Sequence, residues 1–339
     1  VLYNRCISIK MRLILFLLLP VIINATCDNV DENGHLEIPD GTTSIANDEY
    51  KDCTGLLTVN IPSGVTSIGN SAFKGTGLTS LVIPDSVTSI GDYSFQSLSS
   101  LTSVSLGRVQ TIGRAAFQNL GATSIILPSS ITNAGDFAFG WSSLSTVTFE
   151  EGYTKIFKYM FKACTALTSI TFPDSLTEIQ YEAFYRTGLV SVTIPDGVTV
   201  IDYAFGDTGS LTSVYFLEPT GELYRGAFFA SGLTSVVYPN YYNLPNAMFR
   251  NCGDLTSVTI SNGVEQIGGQ AFESTALTSV VIPDSVTKIG SEAFKDSQLV
   301  SVTLHSGITD LYYNAFTGND IVQVCGIDVN SLPDTYSSY

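Results

Sequence analysis

The chain has 339 residues, of which 44% are hydrophobic and only 14% charged, with a formal net charge of −16. That apolar content allows a large core, and aromatic and β-branched residues spread along the chain exclude general disorder. The acidic excess argues against nucleic acid, which needs a basic face, and against docking on anionic lipid headgroups.

In chain order, the first element is a targeting segment. Met11 and Arg12 precede an apolar run from Leu13 to Ile23, broken only by Pro20, and Asn24-Ala25-Thr26 follows. A basic start, a short apolar run and a small residue read as a secretory signal peptide over residues 1–25. The run is too short to span a bilayer, and residues 1–10 read as an over-extended gene start. Residues 26–50 are expected to form an N-terminal cap and first partial repeat, 51–320 the repeat array, and 321–339 a C-terminal cap and tail. No later stretch approaches spanning length, so no membrane insertion is expected of the mature chain. Near the C-terminus, Ser331 to Tyr336 carries part of a bacterial wall-sorting pattern without its Gly, hydrophobic tail or basic end. The expectation is release, or an anchor outside this sequence.

Internal repetition dominates the rest. Thirteen aromatic anchors run from Tyr50 through Phe73, Phe95 and their successors to Phe316, at intervals of 21, 22 or 23 residues. A clean copy reads Leu78-Thr-Ser-Leu-Val-Ile-Pro-Asp-Ser-Val-Thr-Ser-Ile-Gly-Asp-Tyr-Ser-Phe95. The period-two alternation before Pro predicts a short strand with one face inward. Pro cannot donate to a sheet ladder, so it ends the strand and turns the chain. Val87 and Ile90 then point inward from a tight, partly helical or second-strand return, and the anchor ring fills the core. One unit cannot bury its own face, but stacked units can. At ~4.8 Å per strand the array is a rod or arc roughly 60 Å long.

The pattern resembles the BspA-like, or treponemal-type, class of leucine-rich repeats over about residues 35 to 325. Its marks are Leu-Thr-Ser-Val-x-Ile-Pro, the following Val-x-x-Ile-Gly, and the Ala293-Phe294 pair. The resemblance implies a right-handed solenoid superhelix of short parallel β-strands. It also implies secreted or surface-exposed, adhesin-like proteins without catalysis.

Of six Cys, Cys53, Cys164 and Cys252 each sit three residues after an anchor, where other copies hold Thr76, Ser142 or Thr187. Cys164 and Cys252 lie four units apart, too far for a bond. Cys27 and Cys53 share the first coil, where an exposed core end needs capping, and a cap disulfide between them is expected. Cys325 is the leftover thiol, or a cross-link to another chain.

Catalytic chemistry is not in view. The only two His, His35 and His305, stand at opposite ends of the rod, and no C-x-x-C, H-E-x-x-H or phosphate loop occurs. Asp40, Asp85 and Asp174 recur after Pro, but Ser63 and Ser129 interrupt the column, which reads as turn chemistry rather than a calcium site. No catalytic, cofactor or metal site is assigned.

A partner surface is sought on the outward strand positions and where the repeat loosens. One outward column is almost all Ser or Thr, as at Ser80, Ser124 and Ser257, and the other mixes Val82, Ile126 and Tyr215. Between Tyr215 and Phe249 the turn sequences change and Tyr accumulates. Tyr215, Tyr238, Tyr241, Tyr242 and the single tryptophan, Trp141, are the partner-binding candidates, since Tyr and Trp are enriched at hot spots. The expected function is a secreted or cell-surface protein that binds host, matrix or neighbouring-cell proteins as a monomer or weak self-associator. A self-assembling envelope or matrix component is the alternative.

Overall fold

The computed structural model describes residues 27–217, 221–240 and 243–321 and the backbone of the strand Gln323–Cys325. The segment read as a signal peptide lies outside the described residues. The chain winds into a parallel β-solenoid of about 12 turns with almost no helix. Coils are numbered here by their anchors, from Tyr50 in the first to Phe316 in the thirteenth.

Each coil has three sides. The first is a strand of three or four residues such as Ser80–Val82 or Ser124–Leu127, whose residues alternate exposed and buried. Neighbouring copies pair in parallel without slippage, Ser124 with Thr146 and Ile125 with Val147. Pro then closes a tight turn, with the Val87 amide donating to the Pro84 carbonyl at 3.0 Å. The second side is a two-residue strand such as Ser89–Ile90, so the return is a strand rather than a helix. Five of these short strands, from Ser44–Ile45 to Asn133–Ala134, form one continuous sheet. In the seventh coil, residues 169–172 carry no strand. There Phe149 and Phe172 pack ring against ring, 6.3 Å apart, at the position before the turn where most copies hold Ile or Leu.

The third side carries the anchors. All thirteen anchor rings stack in twelve consecutive pairs, with centroids between 5.1 and 6.0 Å apart. The backbone beside them alternates in handedness. Residues two before and two after the anchor take positive φ, as at Tyr93 (58°) and Ser97 (64°). This aims the Tyr93, Phe95 and Ser97 amides along the axis, each donating at 2.8 Å to a carbonyl of the next coil. Three residues after the anchor, a hydroxyl or thiol caps the anchor carbonyl: Thr76 donates to Phe73, Ser297 and Thr275 both to Phe272, and Cys252 to Phe228. The position therefore holds small hydrogen-bond donors in most copies.

Candidate functional site

Two surfaces depart from what the repeat requires. The first is the outer face of the strand side. Tyr215 lies on Ser213–Phe216, paired with Thr193 of the preceding coil, and is 60% exposed. Val237, on the next strand Ser235–Tyr238, is 64% exposed, and Leu217 is also exposed just past the end of the Tyr215 strand. Val82, Ile126 and Val281 are as exposed in the same outward column, and Tyr215, Val237 and Leu217 differ from them in lying on adjacent coils.

The Tyr candidates divide. Tyr238 is not on this surface: it is fully buried, its hydroxyl donates to the Asn243 carbonyl at 2.8 Å, and its ring meets Phe249 edge-on. The alternation that turns Val237 outward turns Tyr238 inward, where most other copies place Ile, Leu or Phe, so it is not a partner contact. Tyr241 and Tyr242 lie outside the described residues.

The second surface is the outer face of the anchor side in the fifth to ninth coils. Trp141 stands two residues after its anchor with φ of 55°, half-exposed, its ring 5.3 Å from Phe137. It joins a ribbon of aromatic rings. Phe137 stacks on Tyr159 at 4.5 Å, Tyr159 meets Tyr181 edge-on, Tyr181 meets Tyr203, and Tyr203 meets Phe229. Cations lie over the rings: Lys158 is 4.8 Å and Lys162 is 4.9 Å from the Tyr159 centroid, and Arg186 is 5.5 Å from that of Tyr185. Acids complete the pattern. Lys162 contacts Glu182 at 2.5 Å, Arg186 pairs with Asp207, and Lys158 lies 3.9 Å from Asp136. Hydrogen bonding of Tyr181 to Glu182, together with partial burial, raises its pKa to about 12, so its phenol stays neutral.

The ribbon replaces a structural device. At the corner three residues before the anchor, Asn47, Asn70 and Asp92 each accept the amide of their counterpart in the next coil, at 2.7 to 2.8 Å. Asn246 resumes the ladder by accepting from Gly269 at 2.7 Å. Between them the column reads Arg114, Asp136, Lys158, Tyr181, Asp202 and Arg225. The coils that abandon the ladder include those that carry the ribbon. A signal for it exists in the sequence, because an aromatic stands two before the anchor at Tyr93, Phe137, Tyr159 and Tyr203.

At the N-terminal end, Cys27 and Cys53 are joined in a disulfide with Cα atoms 5.5 Å apart. Cys164 and Cys252 are free and buried, and burial pushes both thiols up to about 11, which leaves them protonated and poorly nucleophilic at neutral pH. The side chain of Cys325 lies outside the described residues. His35 bonds Thr58 through Nδ1 at 2.8 Å, and His305 Nδ1 accepts the Gly307 amide. Among the described residues no cluster of His, Cys, Asp and Glu could hold a metal ion, and no helix is long and apolar enough to cross a membrane.

Comparison with known proteins gives one consistent result. A family profile described as "BspA type Leucine rich repeat region" matches residues 22–109, 107–204 and 199–323. Among solved structures, a leucine-rich repeat protein from Bacteroides ovatus is 26% identical, with a TM-score of 0.65 over 84% of this chain and 76% of that one. The pneumococcal vaccine antigen PcpA is 20% identical, with a TM-score of 0.54 over 87% and 80% of the two chains. The second likeness bears on the fold alone. No curated protein matches.

Proposed function

The chain belongs to the BspA-type leucine-rich repeat family, and from that premise we propose that it is a secreted or cell-surface protein whose strand face binds another protein. On this proposal the protein is a binding scaffold rather than an enzyme. The observation that carries it is the strand face itself: a flat array of outward Ser and Thr, with the exposed apolar cluster of Tyr215, Val237 and Leu217 on adjacent coils. Large apolar side chains grouped on a rigid sheet expose area that a monomer gains nothing by exposing. A Tyr there offers contact area with little entropy to lose. Secretion is supported by the signal-like N-terminal run and by the Cys27–Cys53 bond, which suits an oxidising compartment.

The test is a binding screen of the full chain against extracellular-matrix and cell-surface proteins, repeated with Tyr215→Ser combined with Val237→Ser. We expect at least one partner, with affinity falling about tenfold or more in the double variant, the range for loss of an interface anchor. A partner bound equally well by both proteins places the contact elsewhere.

A further inference from the structure

A groove of about 900 Å³ runs along the corner where the second side meets the anchor side, from the ninth coil to the thirteenth. It lies where the corner ladder lapses. Asn246 accepts the Gly269 amide at 2.7 Å, but Gly269 has no side chain to accept the next amide, that of Ser291. Among the described residues the Ser291 amide has no acceptor. A Cβ on Gly269 would stand 3.8 Å from that nitrogen, so the free donor borders the space that an Asn fills in other coils. Lys288 stands on one wall, on the strand Lys288–Ile289, beside Gln266 of the paired strand. Lys155 holds the same position six coils earlier and pairs with Glu178 at 2.7 Å. Among the described residues Lys288 has no carboxylate within ion-pair distance, and neither has Arg225 at the ninth-coil end. Asp310, in register with Lys288, does not line the groove. The acid that does is Glu292, held by Lys295 and Gln270, each at 3.0 Å. Tyr224 and Tyr312, both exposed, stand in the first and last coils of the groove. In a chain of net charge −16 this is a donor-rich site.

We propose that this groove binds a carboxylated oligosaccharide lying along the solenoid axis. Its size falls in the range of small-molecule sites. Lys288 and Arg225 lie three coils apart, about 14 Å along the axis, so each meets a different carboxylate of one acidic chain. The Ser291 amide supplies a fixed donor on the floor between them. The side-chain amides of Asn246 and Gln266 both donate and accept, which suits hydroxyl groups. Spacing favours a sugar over a peptide. Groups in the groove recur once per coil, about 4.8 Å apart. A hexose in an extended chain advances by about one coil, so successive sugars meet equivalent positions. A peptide strand advances about 3.3 Å per residue and falls out of step. It also needs pockets for alternate side chains, whereas the walls here carry Gln266, Gln270, Lys288 and Glu292. Tyr224 and Tyr312, about 20 Å apart, offer aromatic surface to the apolar face of a sugar at each end. The inference is independent of the proposed function, which uses a different side of the solenoid, and its failure leaves that reading untouched.

The test is titration calorimetry of the full chain with three probes: tetragalacturonate, the neutral cellotetraose, and tetraglutamate. Tetragalacturonate is expected to bind at one site, more weakly in high salt, and at least tenfold tighter than either of the others. Gly269→Asn restores the side chain that Asn47 and Asn70 supply at the same place, caps the Ser291 amide and fills the groove. It should lower the affinity for tetragalacturonate at least tenfold while leaving urea unfolding unchanged or shifted to higher urea. A merely structural role for the groove would not produce that combination. Lys288→Gln, which copies the neighbouring Gln266, should also lower the affinity about tenfold, and Lys288→Arg should retain it. It keeps the proposal testable should Gly269→Asn not fold. A wild type that binds no tetragalacturonate at millimolar concentration overturns the proposal. So does unchanged binding in Gly269→Asn or in Lys288→Gln. Cellotetraose binding as tightly overturns the acidic specificity, and tetraglutamate binding as tightly makes the groove a site for acidic peptides instead.

Discussion

At the scale of single residues, the anchor side tolerates what most folds avoid. Bulky side chains such as Phe137, Trp141 and Tyr203 sit at φ between 55° and 61°, where an L-residue costs about 1–2 kcal/mol. The offset is visible: the same alternation aligns three amides per coil with three carbonyls of the next, each bond worth about 1 kcal/mol net. Tyr153 shows another cost. It is fully buried, and among the described residues its hydroxyl donates to the Met160 sulfur at 3.8 Å, a weak acceptor. Burial raises its pKa well above the ordinary value. A raised pKa means that the unfolded chain releases the proton first. Its contribution to stability is therefore complete below about pH 10, the ordinary tyrosine value, and is lost as pH rises from there toward the folded value. Tyr153→Phe removes that dependence and costs little, because it deletes a poorly bonded hydroxyl rather than ring volume. Urea unfolding at neutral pH should differ little between the two proteins. Above pH 10 the variant should lose less stability than wild type, and equal losses would show that Tyr153 does not drive alkaline unfolding.

At the scale of the coil, position within the repeat decides what a side chain can do. The N-terminal coil is the clearest case, because among the described residues it pairs with one neighbouring coil, through His35–Glu37 and Thr58–Asn60. Val30 packs on the exposed end of the core, and the Cys27–Cys53 bond ties that segment to the first anchor turn. Closing a loop of 26 residues is worth about 3 kcal/mol in the chain-entropy account. Cys27→Ser with Cys53→Ser should therefore speed amide exchange in the first two coils and leave the coils around Phe272 and Phe294 unchanged. Uniform acceleration along the chain would show that the bond does more than hold the cap. The same positional logic explains what was legible in the sequence. The anchor interval revealed the stacking, and the place of Cys164 and Cys252 among Thr and Ser revealed a site for small donors. The chemistry of tyrosine suggests an outward Tyr238, but the alternation from Val236 turns it inward. The ribbon was missed for a different reason. Its columns become neighbours only through the left-handed residues beside each anchor, which bring positions two before and one after side by side, as Lys162 over Tyr159 shows. Counting a period along the chain does not reveal that fold-back.

At the scale of the molecule, the described strands pair with the copies that neighbour them in the chain, as in the unbroken sheets Ser44–Ile45 to Asn133–Ala134 and Asn243–Leu244 to Asp310–Leu311. Stability is then close to a sum of coil terms and interfaces between neighbours. Substituting inside a coil and removing a whole coil should therefore differ sharply. Substituting Phe294, stacked at 5.1 Å on Phe272 and 5.2 Å from Phe316, by Ala leaves a cavity that both neighbours line, at about 3–5 kcal/mol. Deleting residues 277–298 instead joins Ala276 to Leu299, the counterpart of Leu277 one repeat later, and restores an uninterrupted stack of anchors. The shortened chain should fold with the same circular-dichroism shape and thermal cooperativity. Its urea m-value should fall by roughly one-twelfth, in proportion to the surface removed. Loss of the cooperative transition on deletion would mean that coils are not interchangeable units, and that the ends communicate through something other than the stack. Retention of the transition, with Phe294→Ala the more damaging change, is the outcome that nearest-neighbour packing requires.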